Sequence, residues 1–303
     1  MLFSRLATLR WHGAARSPAL SAIFLSFSAS SSAFAEPLLD GGKLVLTNGI
    51  SSLEGASGGG LAAWSTIAGM ETDRAIGVSG HVTGIALADY GWQSHGVSIG
   101  VRDRVELSYA RQNFDTRKAG AALGLGEGYR FNQDIFGVKV RLTGDVVYGS
   151  ALLPQVSIGI QHKRSLDEAI IKAVGAQSAS GFDFTASATK LILSRSLLVN
   201  ATARLTNANQ FGLLGFGGPL NASRTLQFEG SLGWMLSPRV VVGGEYRTRP
   251  SNLAFAREDD AHDLFVAWAV SRNATLTAAY ADVGSVATFD GQRGALVSLQ
   301  FAF

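Results

Sequence analysis

The chain has 303 residues, of which 47% are hydrophobic and 16% charged, with a formal charge of +3, 36 glycines and no cysteine. Charged residues fall short of the roughly 25% usual for soluble domains. The missing cysteine excludes a disulfide framework, a thiolate metal site and a Cys nucleophile. No run reaches the roughly 18 to 20 apolar residues that a transmembrane helix requires.

Residues 1–35 read as a secretory signal peptide. Arg5, Arg10 and Arg16 form a basic start without acids, an apolar block runs from Ala19 to Phe27, and Ala33-Phe34-Ala35 makes an A-x-A site before Glu36. Without these three arginines the remainder, 36–303, has 23 basic and 23 acidic side chains. That balance, with no Lys/Arg cluster interleaved with aromatics, gives no reason to expect nucleic acid as a partner.

The next segments carry a weaker pattern. Residues 43–48, 61–70 and 76–88 are candidate strands, and a glycine-rich run from Gly55 to Gly60 lies among them. From about residue 96 apolar and polar residues alternate, the period of strands with two different faces. Tight turns join 96–101 to 104–114, 182–193 to 197–206, 223–236 to 239–248 and 262–270 to 274–283. Segments 132–143 and 154–164 add two strands, and 294–303 ends the chain. Longer connections at 115–131, 165–181, 207–222 and 249–261 alternate with the tight turns. A capping-box start at Ser165 predicts a short helix inside the second of them. Short turns on one side and long loops on the other describe an all-β, antiparallel, up-and-down transmembrane barrel of the Gram-negative outer membrane. The count is fourteen strands, or twelve if the glycine-rich first segment lines the lumen or stays periplasmic.

Strand parity divides lipid from lumen. Leu107, Phe136, Val138, Ile158, Phe228 and Leu232 share the apolar face. In 182–193, Phe182 and Phe184 share parity with Lys190, which predicts a β-bulge near Thr189. Inward parity collects Arg104, Lys139, Arg141, Lys163, Arg204 and Arg247 against Glu106, Glu229 and Glu245, an excess of three positive charges. On the apolar parity, Trp234 and Trp268 fall beside short turns and Tyr246 and Tyr280 toward long loops, as aromatic girdles do. Val297, Leu299, Phe301 and Phe303 form one face of a terminal amphipathic strand, the form of the signal read by the outer-membrane assembly machinery. That machinery, outer-membrane lipid and lipopolysaccharide are the expected partners.

Three phrases carry a family resemblance: GGKLVLTNGISSLEGASGGGL at 41–61, HGVSIGVRDRVELSYARQNFDT at 95–116 and DIFGVKVRLTGDVVYGSALLPQVSIGIQHK at 134–163. They resemble an uncharacterised proteobacterial outer-membrane protein family known as a domain of unknown function. The resemblance implies a place and a fold and no catalytic residue.

Other chemistry has thin support. His81, His95, His162 and His262 lack the spacing of a metal pair, and the glycine runs lack the helix and Lys-Ser/Thr ending of a phosphate loop. The acidic run Glu258-Asp259-Asp260 near Asp263 lacks the spacing of a calcium loop. No cofactor, metal ligand or catalytic residue is expected. The leading expectation is a porin-like passive channel for small solutes with a weak anion preference. A non-conducting structural or adhesion barrel is the alternative, and an outer-membrane lipid hydrolase ranks behind both.

Overall fold

A computed structural model describes residues 42–48, 50–148, 150 and 153–303; the signal peptide expected at 1–35 lies outside them. Among the described residues twelve strands form one antiparallel sheet. They are β1 (Ile76–Leu87), β2 (Gly91–Val101), β3 (Val105–Asp115), β4 (Arg130–Thr143), β5 (Gln155–Ser165) and β6 (Ser180–Ile192), followed by β7 (Leu197–Thr206), β8 (Thr225–Ser237), β9 (Val240–Arg247), β10 (Ala261–Ala269), β11 (Ala274–Asp282) and β12 (Arg293–Ala302). Each strand pairs with its chain neighbours, and β12 pairs with β1 from Ser79↔Ala302 to Leu87↔Gly294, which closes a barrel. Closure leaves no strand edge unpaired.

Alternation explains why these segments become walls. Along β10 every second residue is buried, Ala261, Asp263, Phe265, Ala267 and Ala269, while Leu264, Val266 and Trp268 face outward. The same sorting puts Leu107, Phe136, Val138, Ile158, Phe228 and Leu232 on the outside. The outer face is an apolar band, and the inner face mixes polar and charged side chains with apolar clusters.

The count is twelve because the first segment does not join the sheet. Residues 45–48 of the strand expected at 43–48 form one helical turn, Val45–Asn48, and 61–70 is an irregular chain inside the barrel. Its backbone N–H groups donate to carboxylates of the wall, which satisfies them without a neighbouring strand. Isolated bridges such as Gly58↔Ala63 are the local pairing it makes.

No bulge interrupts β6 near Thr189; β5 pairs with β6 in unbroken register from Arg164↔Ser180 to Gln155↔Thr189. Lys190 faces out, as its parity requires, and is buried because the β4–β5 connection lies over it: its Nζ donates to the Asp145 and Tyr148 carbonyls. The register shifts that do occur lie in β4 between Arg141 and Thr143 and in β8 between Met235 and Ser237. The predicted loop helix is present as Glu168–Ala173. Its N-cap Asp167 makes no capping bond and instead accepts from the Tyr129 hydroxyl and the Asn132 N–H.

Candidate functional site

The lumen is filled by the chain's own residues 50–75, here termed the plug. The stretch Gly58-Gly59-Gly60 passes close to the wall because it has no side chains: a Cβ at Gly59 would overlap the Glu245 carboxylate. The wall then binds the plug's backbone directly. Glu106 accepts the Ser57 N–H at 3.1 Å and the Ala68 N–H at 2.8 Å, Glu245 accepts Leu61 N–H at 2.7 Å, and Glu229 accepts Ala63 N–H at 2.7 Å. In return Lys139 donates to the carbonyls of Ser57 and Thr66, and Asn200 and Thr202 donate to that of Ala63. Trp64 is anchored through Nε1 to the Ser231 hydroxyl at 2.9 Å.

One plug side chain completes a charge cluster. Glu54 lies 2.5 Å from Lys163, 3.1 Å from Arg204 and 2.9 Å from Arg247. Asp183 pairs with Lys163 at 2.8 Å and with Arg204 at 3.1 Å, while Glu229 pairs with Arg204 and, at 3.4 Å, with Arg247. Three cations thus meet three anions, all buried. Lys139 and Glu106 form a separate pair at 3.2 Å.

The structure rearranges the charges that parity assigns to the lumen. Lys139, Lys163, Arg204, Arg247, Glu106, Glu229 and Glu245 are buried and inward. Arg104 instead sits exposed in the β2–β3 turn, and Arg141 lies at the turn end of the barrel, bonded to Asp103, Asp145 and the Gly144 carbonyl. Asp183 and Asp263, which parity counting omitted, are inward and buried. The wall therefore carries four positive groups (Lys139, Lys163, Arg204, Arg247) and five negative ones (Glu106, Asp183, Glu229, Glu245, Asp263), not a positive excess. Trp234 and Trp268 are exposed near the turn end, Tyr246 and Tyr280 near the loop end, and Val297, Leu299, Phe301 and Phe303 face outward.

The loop end is closed by a feature the sequence reading missed. Residues 207–217, between β7 and β8, fold inward, and Gln210 and Phe211 both take left-handed φ, +47° and +61°. Non-glycine residues persist there only when their surroundings hold them. Phe211 packs against two guanidinium groups, Arg247 at 4.8 Å and Arg249 at 4.9 Å from the ring centre, and its carbonyl accepts from Lys163 and Gln133. The signal was present in the glycines that follow: Gly212, Gly215 and Gly217 all have positive φ, which lets a short loop double back. Glu258 ties this loop to the β9–β10 loop by accepting the Gln210 N–H at 2.9 Å beside Arg249. Burial, opposed by Arg249, pushes the Glu258 carboxyl up to about 7. At the turn end burial, opposed by Lys43, likewise raises Glu71 to about 7.

The histidines do not converge. His81 bonds the Ser94 hydroxyl at 3.1 Å inside the barrel, His162 lies tilted against Phe182 with ring centres 4.8 Å apart, and His262 is exposed. Among the described residues no group of three or more acidic, His or Cys side chains is arranged to hold a metal.

The sequence pattern of a family described as proteins of unknown function (DUF3034) matches residues 47–300, a span that includes plug and wall together. The chain belongs to this family. No curated protein matches it in sequence. Among solved structures, the KdgM porin is similar over 74% of this chain and 99% of its own at 9% identity, with a TM-score of 0.49. Omp33 of Acinetobacter baumannii is similar over 75% and 97% at 8% identity, with a TM-score of 0.42. Outer membrane phospholipase A of Escherichia coli is similar over 74% and 95% at 9% identity, with a TM-score of 0.40.

Proposed function

We propose that this protein is an outer-membrane barrel that passes small solutes passively and is held shut, in the conformation described, by its own plug. The outward apolar band with aromatics at both ends supports a membrane location, since a closed sheet is the one β-form that satisfies its backbone in lipid. Outer-membrane lipid and lipopolysaccharide then surround the band, and the assembly machinery reads the strand ending in Phe303.

The observation that carries the channel reading is the chemistry of the plug's contacts. Along residues 51–68 the plug's backbone is held by hydrogen bonds to polar side chains of the wall, which water would satisfy equally if the plug withdrew, while Leu53, Leu61, Ala62 and Trp64 pack in apolar clusters with the wall. The wall left behind, with four positive and five negative groups, gives weak selectivity that leans to cations in place of the anion bias implied by parity.

The absence of natural cysteines supplies a direct test. Ser65 and Thr189 are in contact across the plug–wall boundary, with the Ser65 N–H on the Thr189 hydroxyl at 2.9 Å. The pair Ser65→Cys and Thr189→Cys should be silent in a planar bilayer when oxidised and give conductance steps after reduction. Steps in the oxidised state would refute the plug as gate. Silence after reduction would favour the second reading, a non-conducting structural or adhesion barrel, which the interlocked mouth around Phe211 supports.

A further inference from the structure

Four rings form one row on the outside of the barrel. Tyr109, Phe136, His162 and Phe182 are successive partners across β3, β4, β5 and β6. Ring centres are 5.0 Å apart for Tyr109 and Phe136 and 4.8 Å apart for His162 and Phe182. Toward the turn end the outward face continues apolar, with Val138, Ile158 and Phe184. The next outward row toward the long loops is polar: Arg111, Asp134, Arg164 and Ser180. Rings of this kind sit at the headgroup level of a membrane, so the polar row above them lies at the level of lipid phosphates.

The arginines at this level differ in what they hold. Arg111 pairs with Asp134 at 2.9 Å, Arg130 with Asp115 at 3.2 Å and Arg293 with Asp282 at 2.6 Å. Arg164 and Arg224 are exposed, and among the described residues neither has a carboxylate in salt-bridge reach. Glu168, whose charge Arg164 feels from the loop above, is itself paired with Lys172 at 2.6 Å. Arg224 lies over the Phe184 ring at 5.4 Å and donates through Nε to the Phe182 carbonyl at 3.0 Å, so the far end of its fork points to no protein acceptor. The two arginines come to β6 from opposite sides, Arg164 beside Ser180 and Arg224 at Phe182. Those positions are about 7 Å apart along the strand. The acids of β5 to β8, Asp183 and Glu229, both face the lumen, which leaves the outer face there purely basic.

On the membrane location proposed above, with the long loops outward, we infer that Arg164 and Arg224 bind the phosphates of lipid A, the anchor of lipopolysaccharide. His162, Phe182 and Phe184 lie against the glycolipid below its phosphates. A guanidinium fork matches a phosphate with paired hydrogen bonds, and basic residues at the membrane surface select anionic headgroups. A phospholipid whose phosphate is joined to an ammonium group would need an acid for its cation, and the outer face of β5 to β8 offers none. Two separate forks suit a bisphosphorylated glycolipid, which brings several negative charges and no ammonium.

Native mass spectrometry of the refolded full chain, released from detergent micelles containing lipid A, tests the site. A lipid A adduct should persist at collision energies that strip phosphatidylethanolamine and phosphatidylglycerol, and lipid A freed of its phosphates should bind no better than these. Arg164→Gln with Arg224→Gln should weaken lipid A binding about tenfold, since each arginine contributes to holding an anionic headgroup. Arg130→Gln, which removes an exposed arginine already paired with Asp115, should leave binding unchanged. All variants should run as folded bands on unheated gels. Retention of phosphatidylglycerol equal to that of lipid A would overturn the assignment in favour of any anionic lipid. Binding indifferent to the double change, or to the loss of the phosphates, would overturn the site while a barrel that needs detergent to stay folded keeps the membrane reading intact. A barrel that stays folded and soluble without detergent would overturn both.

Discussion

Glu54 of the plug and Arg247 of β9 meet at 2.9 Å although 193 residues separate them in the chain. The contact ties the plug to the centre of the charge cluster, where Glu54 also meets Lys163 and Arg204. Removing one partner of a buried ionic group costs about 3–5 kcal/mol, because the remaining charges stay buried and under-compensated. Glu54→Gln should therefore loosen the plug and lower the denaturant midpoint of the folded band. Limited proteolysis reads this directly: residues 50–75 should become cleavable in the variant and stay protected in the wild type. Equal protection in both would mean that the cluster does not hold the plug.

A steric change should act in the same direction without removing an ionic group. Gly100 on β2 faces inward, and a Cβ there would overlap the Ala68 carbonyl oxygen of the plug. Backbone cannot swing aside as a side-chain tip can, so Gly100→Val must shift residues 67–68 away from the wall. Conductance steps should be more frequent in Gly100→Val than in the wild type. An unaltered record would show either that the plug yields locally or that it does not gate.

Strands and faces were legible because each depends on a period of two that a few residues reveal. The plug was legible only as an option. Its glycine run has no period, and its partners, such as Glu245 for Leu61, lie 184 residues away. Charge counting by parity failed at the strand ends, where Arg104 and Arg141 have inward parity but sit at the rim. It also missed Asp183, whose facing was obscured by the bulge expected in β6, and Asp263, which reads as part of the acidic run 258–260. The mouth loop escaped because Phe211 looks like an ordinary loop aromatic until Arg247 and Arg249 are brought against its ring.

The closed mouth should respond to pH through Glu258. Burial raises its carboxyl from 4.5 to about 7 against the pull of Arg249. A carboxyl with a higher value folded than unfolded binds its proton more readily in the folded state. Its contribution is complete below about 4.5 and is lost as pH rises through about 7. The span corresponds to an effect on the order of 3 kcal/mol, at 1.36 kcal/mol per pKa unit. Amide exchange in 207–217, corrected for intrinsic rates, should slow from pH 8 to pH 5 in the wild type and show no such trend in Glu258→Gln. A wild type whose protection falls on acidification would contradict the assignment.

The chain end should matter to assembly more than inward positions nearby. Phe303 is exposed on the outer face, and its backbone donates to the Val78 carbonyl and accepts from the Val78 and Met70 N–H groups. Phe303→Asp keeps those backbone bonds while placing a charge in the outward apolar face. Outer-membrane levels of Phe303→Asp should drop severalfold, against little change for Gln300→Ala, whose side chain donates to the Ser51 carbonyl inside the barrel. Equal levels of the two variants would show that the terminal ring carries no assembly information.

Selectivity follows from which wall charges face the path once the plug leaves. The four positive and five negative inward groups leave an excess of one negative charge. Cations should be favoured weakly, and the bias should fade with rising salt, because a Debye length of about 8 Å at physiological ionic strength is comparable to the distances across a water-filled lumen. Glu245 and Asp263 are the informative pair, since they lie directly across the β9–β10 ladder and outside the ion pairs. Replacing both, as Glu245→Gln with Asp263→Asn, changes the wall to four positive and three negative groups, so the preference should turn to anions. Reversal potentials across a salt gradient measure this in the reduced cysteine variant, with and without the double change. A preference that keeps its sign would mean that solutes do not pass these side chains, and that the conducting path, if present, lies elsewhere in the wall.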